Sequence, residues 1–289
     1  MPLATLKEVT DIAERQNIGI GMFNVISLEY AEAIISAAER SGTPVILGFP
    51  EGFFPCHDVK TMGPLLVRMA ERATVPAAVH VDHGTDPENL KEAIRQGFTG
   101  IMYDGSALKM EENIRNTAEI AQYAHSKGVS VEGEIGYLGF NNADEDRAEG
   151  KTSLERVDAA NLTDPAEARS FVERTGVDAL AVAIGNMHGA YRGIPKLDIG
   201  RLAKIHEIVP CALVLHGGSG LSDADFVAAV ENGVRKVNIY TAMNDLALRF
   251  LRERLDGATS WLDLQQAQRE AIAGQVFDFI EVFARKRLQ

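Results

Sequence analysis

Three histidines, His83, His188 and His216, each sit just past a short apolar run of the kind that forms a β-strand. Their surroundings read His80-Val81-Asp82-His83-Gly84, Gly185-Asn186-Met187-His188-Gly189 and Leu215-His216-Gly217-Gly218-Ser219-Gly220. On parallel neighbouring strands the three imidazoles would converge at one rim. Three neutral imidazoles with an open fourth position make a catalytic zinc site. Of the seven histidines, the remaining four are assigned to structure. His57, His125 and His206 fall in helix-like or loop segments, and His80 lies inside a strand run.

Asp82, beside His83, would put a carboxylate close to a bound metal. Two readings of it are open. It could move a proton at an oxygen of the substrate, or it could be an acceptor that orients a ligand histidine. Asp104 and Glu134, at two further strand ends, suit that orienting role. Asn24 ends the first run and joins the substrate-facing groups. Gly217-Gly218-Ser219-Gly220 is a turn suited to cradling phosphate with backbone N–H groups. Asn238-Ile239-Tyr240-Thr241 follows the last run, and barrel enzymes frequently hold phosphate after their last two strands. A glycine-rich turn alone is also what a merely flexible loop looks like.

The elements that must position these groups alternate along the whole chain. Strand-like runs cover Gly19–Phe23, Val45–Phe49, Ala77–Val81, Gly100–Tyr103, Val129–Glu134, Ala179–Ile184, Ala212–Leu215 and Val237–Ile239. They are apolar throughout, as strands buried on both faces should be. Between them lie amphipathic stretches such as Tyr30–Arg40, closed by Gly42, and Pro87–Arg95, opened by Asp86. The expectation is an α/β fold, a (β/α)8 TIM barrel in a single domain over residues 1–289, with C-terminal helices over 244–289. An open doubly wound sheet is the alternative, but no Gly-x-Gly-x-x-Gly turn follows the first strand. Residues 137–163 form a long polar stretch, expected either to be a mobile active-site loop or to be a solvated acidic loop.

Composition narrows the class. Hydrophobic residues make up 46% and charged residues 24%, with a net charge of −12, which argues against a nucleic-acid surface. Two cysteines, Cys56 and Cys211, form no disulfide framework and suit a reducing cytoplasm. No run approaches the ~20 apolar residues of a membrane span. The first residues lack the basic-then-apolar pattern of a secretion signal.

The ordered motifs Phe23-Asn24-Val25, Asp82-His83-Gly84, Asp104-Gly105-Ser106 and Val131-Glu132-Gly133-Glu134-Ile135-Gly136 continue through Gly185-Asn186-Met187-His188-Gly189, His216-Gly217-Gly218-Ser219-Gly220 and Val237-Asn238-Ile239. Together they resemble the class II, zinc-dependent ketose-bisphosphate aldolases over nearly the whole chain. The resemblance implies zinc on His83, His188 and His216, and Asp82 as the acid/base at the aldehyde-derived oxygen. It implies a dihydroxyacetone-phosphate grip by Gly189, Gly217, Ser219, Asn238 and Thr241, with a monovalent cation (Na+ or K+) near the phosphate. It also implies an acid/base on the long loop, for which Glu145 is the candidate, and a homodimer or homotetramer.

This chain departs from that pattern where the distal phosphate of a bisphosphate would bind. The family's serine after strand two is replaced by Phe49-Pro50, its basic residue after strand eight by Asn244, and its aspartate or alanine by Tyr240. A dianionic phosphate calls for charge-assisted donors, which these positions do not offer. The expectation is an aldehyde without a distal phosphate; the alternative is that an arginine such as Arg192 or Arg249, or a neighbouring subunit, supplies the charge. Three other classes compete. A Schiff-base enzyme lacks a lysine in strand six, Asp178 to Gly185. A metal-dependent sugar-phosphate epimerase or isomerase would need acid/base groups on both sides of the metal. A non-catalytic metabolite binder would have little use for Asp82 and the histidines together.

Overall fold

Eight parallel strands pair in sequence order and close the first onto the last: β1 (Ile20–Asn24), β2 (Val45–Pro50), β3 (Ala77–Gly84), β4 (Gly100–Tyr103), β5 (Ser130–Ile135), β6 (Ala179–Val182), β7 (Ala212–Leu215) and β8 (Val234–Ile239). The structure is a computed structural model and describes residues 2–136, 162–187 and 196–286. Nearly every strand residue is buried, because one face packs on the surrounding helices and the other fills the barrel. The helices are α1 (Leu6–Gln16), α2 (Leu28–Ser41), α3 (Val59–Arg72), α4 (Pro87–Arg95), α5 (Met110–His125), α6 (Pro165–Thr175), α7 (Ile199–Ile208), α8 (Asp223–Glu231), α9 (Thr241–Arg254) and α10 (Trp261–Phe283). Local signals set their ends. Asp86 accepts from Glu88 N–H ahead of Pro87, and Gly42 ends α2 at φ +66°. Among the described residues no helix is long and apolar enough to cross a membrane.

The barrel interior is divided along its axis. At the N-terminal end, Leu6, Val9 and Ala13 of α1 pack onto Ile20, Met22, Ile46, Ala78, Ala181 and Val214. Thr5 and Glu8 start α1 with a reciprocal capping box. This apolar plug leaves the upper interior to His80, Asp82, Glu132, Glu134, His216, Lys236 and Asn238, all buried. Side chains alternate faces along a strand, so Glu132 and Glu134, like Lys236 and Asn238, share the inner face.

Two details differ from the sequence reading. Strand β3 runs on to Gly84, and its register with β4 shifts between Val81 and Gly84, while His83 adopts φ +48°. In a regular strand Asp82 and His83 would face opposite sides; this bulge turns both donor groups into the barrel. Strand β8 begins three residues earlier than its apolar run, at Val234, because Arg235 and Lys236 are buried and each has an acidic partner. Arg235 donates to Glu14 at 2.6 Å and Lys236 meets Glu132 at 2.7 Å.

Beyond β8 the chain continues as α9 and α10, and α10 lies along α2 of its own chain. Ser41 donates to Glu281 at 2.7 Å, Arg269 meets Glu32 at 2.8 Å, and Phe283 packs edge-on to Phe226 at 4.9 Å. Surface ion pairs of this kind contribute little; the buried stripe Ile272, Val276, Ile280 and Phe283 carries the contact. Phe283→Ala should therefore cost about 3–5 kcal/mol in urea unfolding. A loss below about 1 kcal/mol would show that α10 is not part of the barrel core.

Candidate active site

The bulge on β3 and the end of β7 bring two imidazoles together edge-on, their planes 79° apart. His83 Nε2 lies 3.0 Å from His216 Nδ1, and Asp82 shares their cluster. Each ring is held from behind by a carboxylate. Asp104 Oδ2 is 2.8 Å from His83 Nδ1, and Glu132 Oε1 is 2.8 Å from His216 Nε2. A neutral ring that donates its outer N–H to a carboxylate keeps its inner lone pair for a metal. Asp104 is itself fixed by the backbone N–H of Ser106 at 3.0 Å and its hydroxyl at 2.6 Å.

Glu134 completes a second cluster with His83 and Asp104. Its buried Oε2 accepts no hydrogen bond and stands 3.9 Å from His216 Nδ1. Burial, joined by the nearby charges of Asp104 and Glu132, pushes its carboxyl well above the usual range. Two imidazoles, an unsatisfied carboxylate oxygen and a further carboxylate on Asp82 form a donor set that fits a divalent ion such as zinc. Burial opposes a charge on His83, yet Asp82, Asp104 and Glu134 outweigh it and raise the imidazole to about 10. The same partnership pulls Asp104 below the usual carboxylate range despite its burial.

Asp82 is clamped through both oxygens. Asn24 Nδ2 donates at 3.0 Å and Asn238 Nδ2 at 3.1 Å. Gly48, next to Asn24, leaves room for that amide: a Cβ there would come within 2.6 Å of Asn24 Oδ1. Asn186 ties the β6 end to the β7 end, donating to the His216 carbonyl at 3.0 Å while accepting from Ile184 N–H at 2.8 Å.

A cavity of about 550 Å3 opens above Asp82 and His83. One side is the turn of Gly217 and Ser219 beside the start of α9. Gly217 adopts φ +65°, and a Cβ would collide with the Met187 carbonyl. No side chain caps α9 at Tyr240, and Thr241, its first residue, lines the cavity. Part of the lining is apolar: Phe53 and Tyr240 meet at 5.5 Å between ring centroids, and Pro50 lines the cavity with them. Phe49 faces outward into the core and stacks on Phe54 at 5.4 Å, backing this wall without lining the cavity. Asn244 sits one turn into α9, bonded to the Tyr240 carbonyl at 3.1 Å, and does not line it either.

Glu51, a rim residue by sequence, turns away. It accepts from Thr85 N–H at 2.7 Å and Asn89 at 2.9 Å. Two interior residues escaped the sequence reading, Glu132 and Lys236. The readable signal was a charge within a strand run, at two-residue spacing from Glu134 and from Asn238. His80 is fully buried and held neutral, its imidazole lowered to about 3 by burial and then by Lys236. His188, Gly189, Arg192 and Glu145, and all but the last two residues of the 137–163 stretch, lie outside the described residues.

A sequence profile described as "Fructose-bisphosphate aldolase class-II" matches residues 4–287. A fructose-bisphosphate aldolase of Geobacillus stearothermophilus is 38% identical, covering 88% of this chain and 86% of its own length. The crystal structure of the YdjI aldolase from Escherichia coli K12 superposes with a TM-score of 0.86 at 35% identity, covering 97% of both chains. A fructose-1,6-bisphosphate aldolase structure from Coccidioides immitis, itself described as a tentative assignment, gives 0.84 at 30% identity and covers 98% of both chains.

An imidazole raised to about 10 should carry a proton in the metal-free protein, which zinc would displace on binding. The apparent zinc affinity, measured by competition with a chromophoric chelator, should rise by roughly tenfold per pH unit between about pH 6 and 9. An affinity flat across that range would contradict the three-carboxylate environment of His83.

Proposed function

Since the chain belongs to the class II fructose-bisphosphate aldolase family, we propose that it cleaves a ketose 1-phosphate reversibly to dihydroxyacetone phosphate and an aldehyde that lacks a distal phosphate. The observation that carries this reading is the lining of the cavity above Asp82. Gly217, Ser219 and Thr241 line it together with the rings of Phe53 and Tyr240, and none of its described lining residues is a lysine or arginine.

The phosphate end of the substrate fits the turn of Gly217 and Ser219 and the open N-terminus of α9 at Thr241, joined by Gly189. His83 and His216, with His188, would hold zinc, oriented by Asp104 and Glu132, with Glu134 beside them. When bound, zinc supplies Lewis-acid polarisation of the ketone. A sodium or potassium ion beside the phosphate would offset the acidic field of the site. Asp82 moves the proton at the oxygen of the aldehyde-derived carbon. Its carboxylate lies beside the ligand histidines and is aimed by two amides, the placement that general acid–base transfer requires. Glu145 is the candidate for the carbon proton of dihydroxyacetone phosphate. The rest of the sugar would lie along Phe53 and Tyr240, where a dianion would lose its hydration without a charged partner.

The exposed Trp261 and Leu262 at the start of α10 offer apolar surface for a homo-oligomer. The free cysteines, Cys56 and Cys211, accord with a reducing cytoplasm.

The test is release of dihydroxyacetone phosphate from fructose and tagatose 1,6-bisphosphates and from a panel of ketose 1-phosphates. Cleavage of a 1-phosphate should exceed both bisphosphates by about tenfold or more in kcat/KM, vanish with chelator and return with zinc. Efficient bisphosphate cleavage would refute the distal-pocket reading. Asp82→Asn should lower kcat by about 10²–10⁴ while zinc content stays at the wild-type level; a kcat near wild type would remove Asp82 from proton transfer.

A further inference from the structure

Lys236 and Glu132 lie below the cavity, both fully buried and paired at 2.7 Å, and neither touches the space where a substrate would sit. Charges are taken out of water only at considerable cost, and a barrel of this type fills its interior with Val, Ile and Leu. The pair therefore needs a role beyond packing, and its remaining contacts show one. Glu132 uses its other oxygen on His216 Nε2 at 2.8 Å. Lys236 Nζ also donates to Asn238 Oδ1 at 2.8 Å.

That second bond fixes the amide of Asn238. With its oxygen facing an ammonium, the nitrogen of Asn238 must face the other way, where it donates to Asp82 Oδ1 at 3.1 Å. An amide flipped end for end would set a carbonyl oxygen against the Asp82 carboxylate and an NH2 group against the ammonium. One ammonium thus closes a chain of five residues: His216–Glu132–Lys236–Asn238–Asp82.

We propose that Lys236 is a positioning residue that ties the metal-holding arm of the site to its proton-transferring arm. On one side it holds Glu132 in place, so that His216 presents Nδ1 toward His83. On the other it orients Asn238 and through it the carboxylate that handles the substrate oxygen. Its own nitrogen is engaged on both sides, which assigns it to positioning and not to attack on a carbonyl. This role for Lys236 rests on the aldolase reading for its proton-transferring half and on the donor geometry alone for its metal-holding half.

Lys236→Met removes both bonds at nearly constant volume. The expected result is a weakening of zinc affinity and a fall in kcat, each by about 10–100-fold, with KM changed by less than about threefold, since the phosphate cradle lies on other residues. This variant leaves Glu132 buried and unpaired, so Lys236→Met/Glu132→Gln is made beside it. With both charges removed, its thermal midpoint should recover toward wild type, while kcat stays low because nothing orients Asn238.

Zinc affinity is read on the metal-free protein by chelator competition and needs no substrate. Wild-type zinc affinity in folded Lys236→Met overturns the tie whatever the substrate proves to be. Lowered affinity with wild-type kcat overturns it too, by leaving only one arm. A kcat in the double variant that recovers together with its melting point would reduce Lys236 to a structural charge. If wild-type protein cleaves no ketose phosphate, the functional reading fails by itself, and the zinc measurement still decides the metal-holding half.

Discussion

Two carboxylates decide which way the site faces. Asp104 and Glu132 each take the outer nitrogen of one imidazole, so that His83 Nε2 and His216 Nδ1 point at each other across 3.0 Å. Without these acceptors either ring could turn or change tautomer, and the facing pair of nitrogens would be lost. Much of the upper barrel follows from holding those acceptors in place. Asp104 is anchored by Ser106 just beyond β4. Glu132 is too deep for water to satisfy it, and a buried lysine from the far side of the barrel completes its partners. The apolar plug under α1 closes the floor beneath this polar layer and keeps water from entering there.

Most of the architecture was legible in the residue pattern. Fully apolar runs separated by amphipathic stretches match all eight strands, with Gly100–Tyr103 and Ala212–Leu215 matching to the residue. Local chemistry was equally readable at Gly42 and at Asp86-Pro87, because caps depend on neighbours in sequence. Contacts between distant segments were not. The bulge that lets Asp82 and His83 share one side depends on the register of β3 against β4, which no single strand reveals. Lys236 interrupts an apolar run and shortens the apparent β8; its partner lies over a hundred residues away in sequence, on β5. Phe49 stands where the resembled family has its serine and so points to the distal pocket by sequence, but strand parity turns it outward, and Phe53 lines the cavity.

The aromatic wall shows how a surface can be built from behind. Phe54 stacks on Phe49, Phe53 sits edge-on to it, and Phe53 then leans on Tyr240 from the start of α9. The short turn that carries Phe53 is pinned by Glu51, whose carboxylate gathers N–H and O–H donors from the start of α4. Glu51 thus holds the turn that carries Phe53. The polar side depends on backbone groups instead, and Gly217 is required there both by its φ and by the approach of Met187. Backbone donors, aromatic rings and Asp82 thus line one cavity.

The central claim is that His83 and His216 hold the metal with their inward nitrogens while the two carboxylates stay behind them. Diffraction from zinc-loaded crystals, recorded on both sides of the zinc absorption edge, tests it most directly. The account predicts one strong anomalous peak bonded to His83 Nε2 and His216 Nδ1, with Asp104 and Glu132 still hydrogen-bonded to the opposite ring atoms. A peak on the outer nitrogens with those carboxylates displaced, or a peak away from the two histidines, would contradict it.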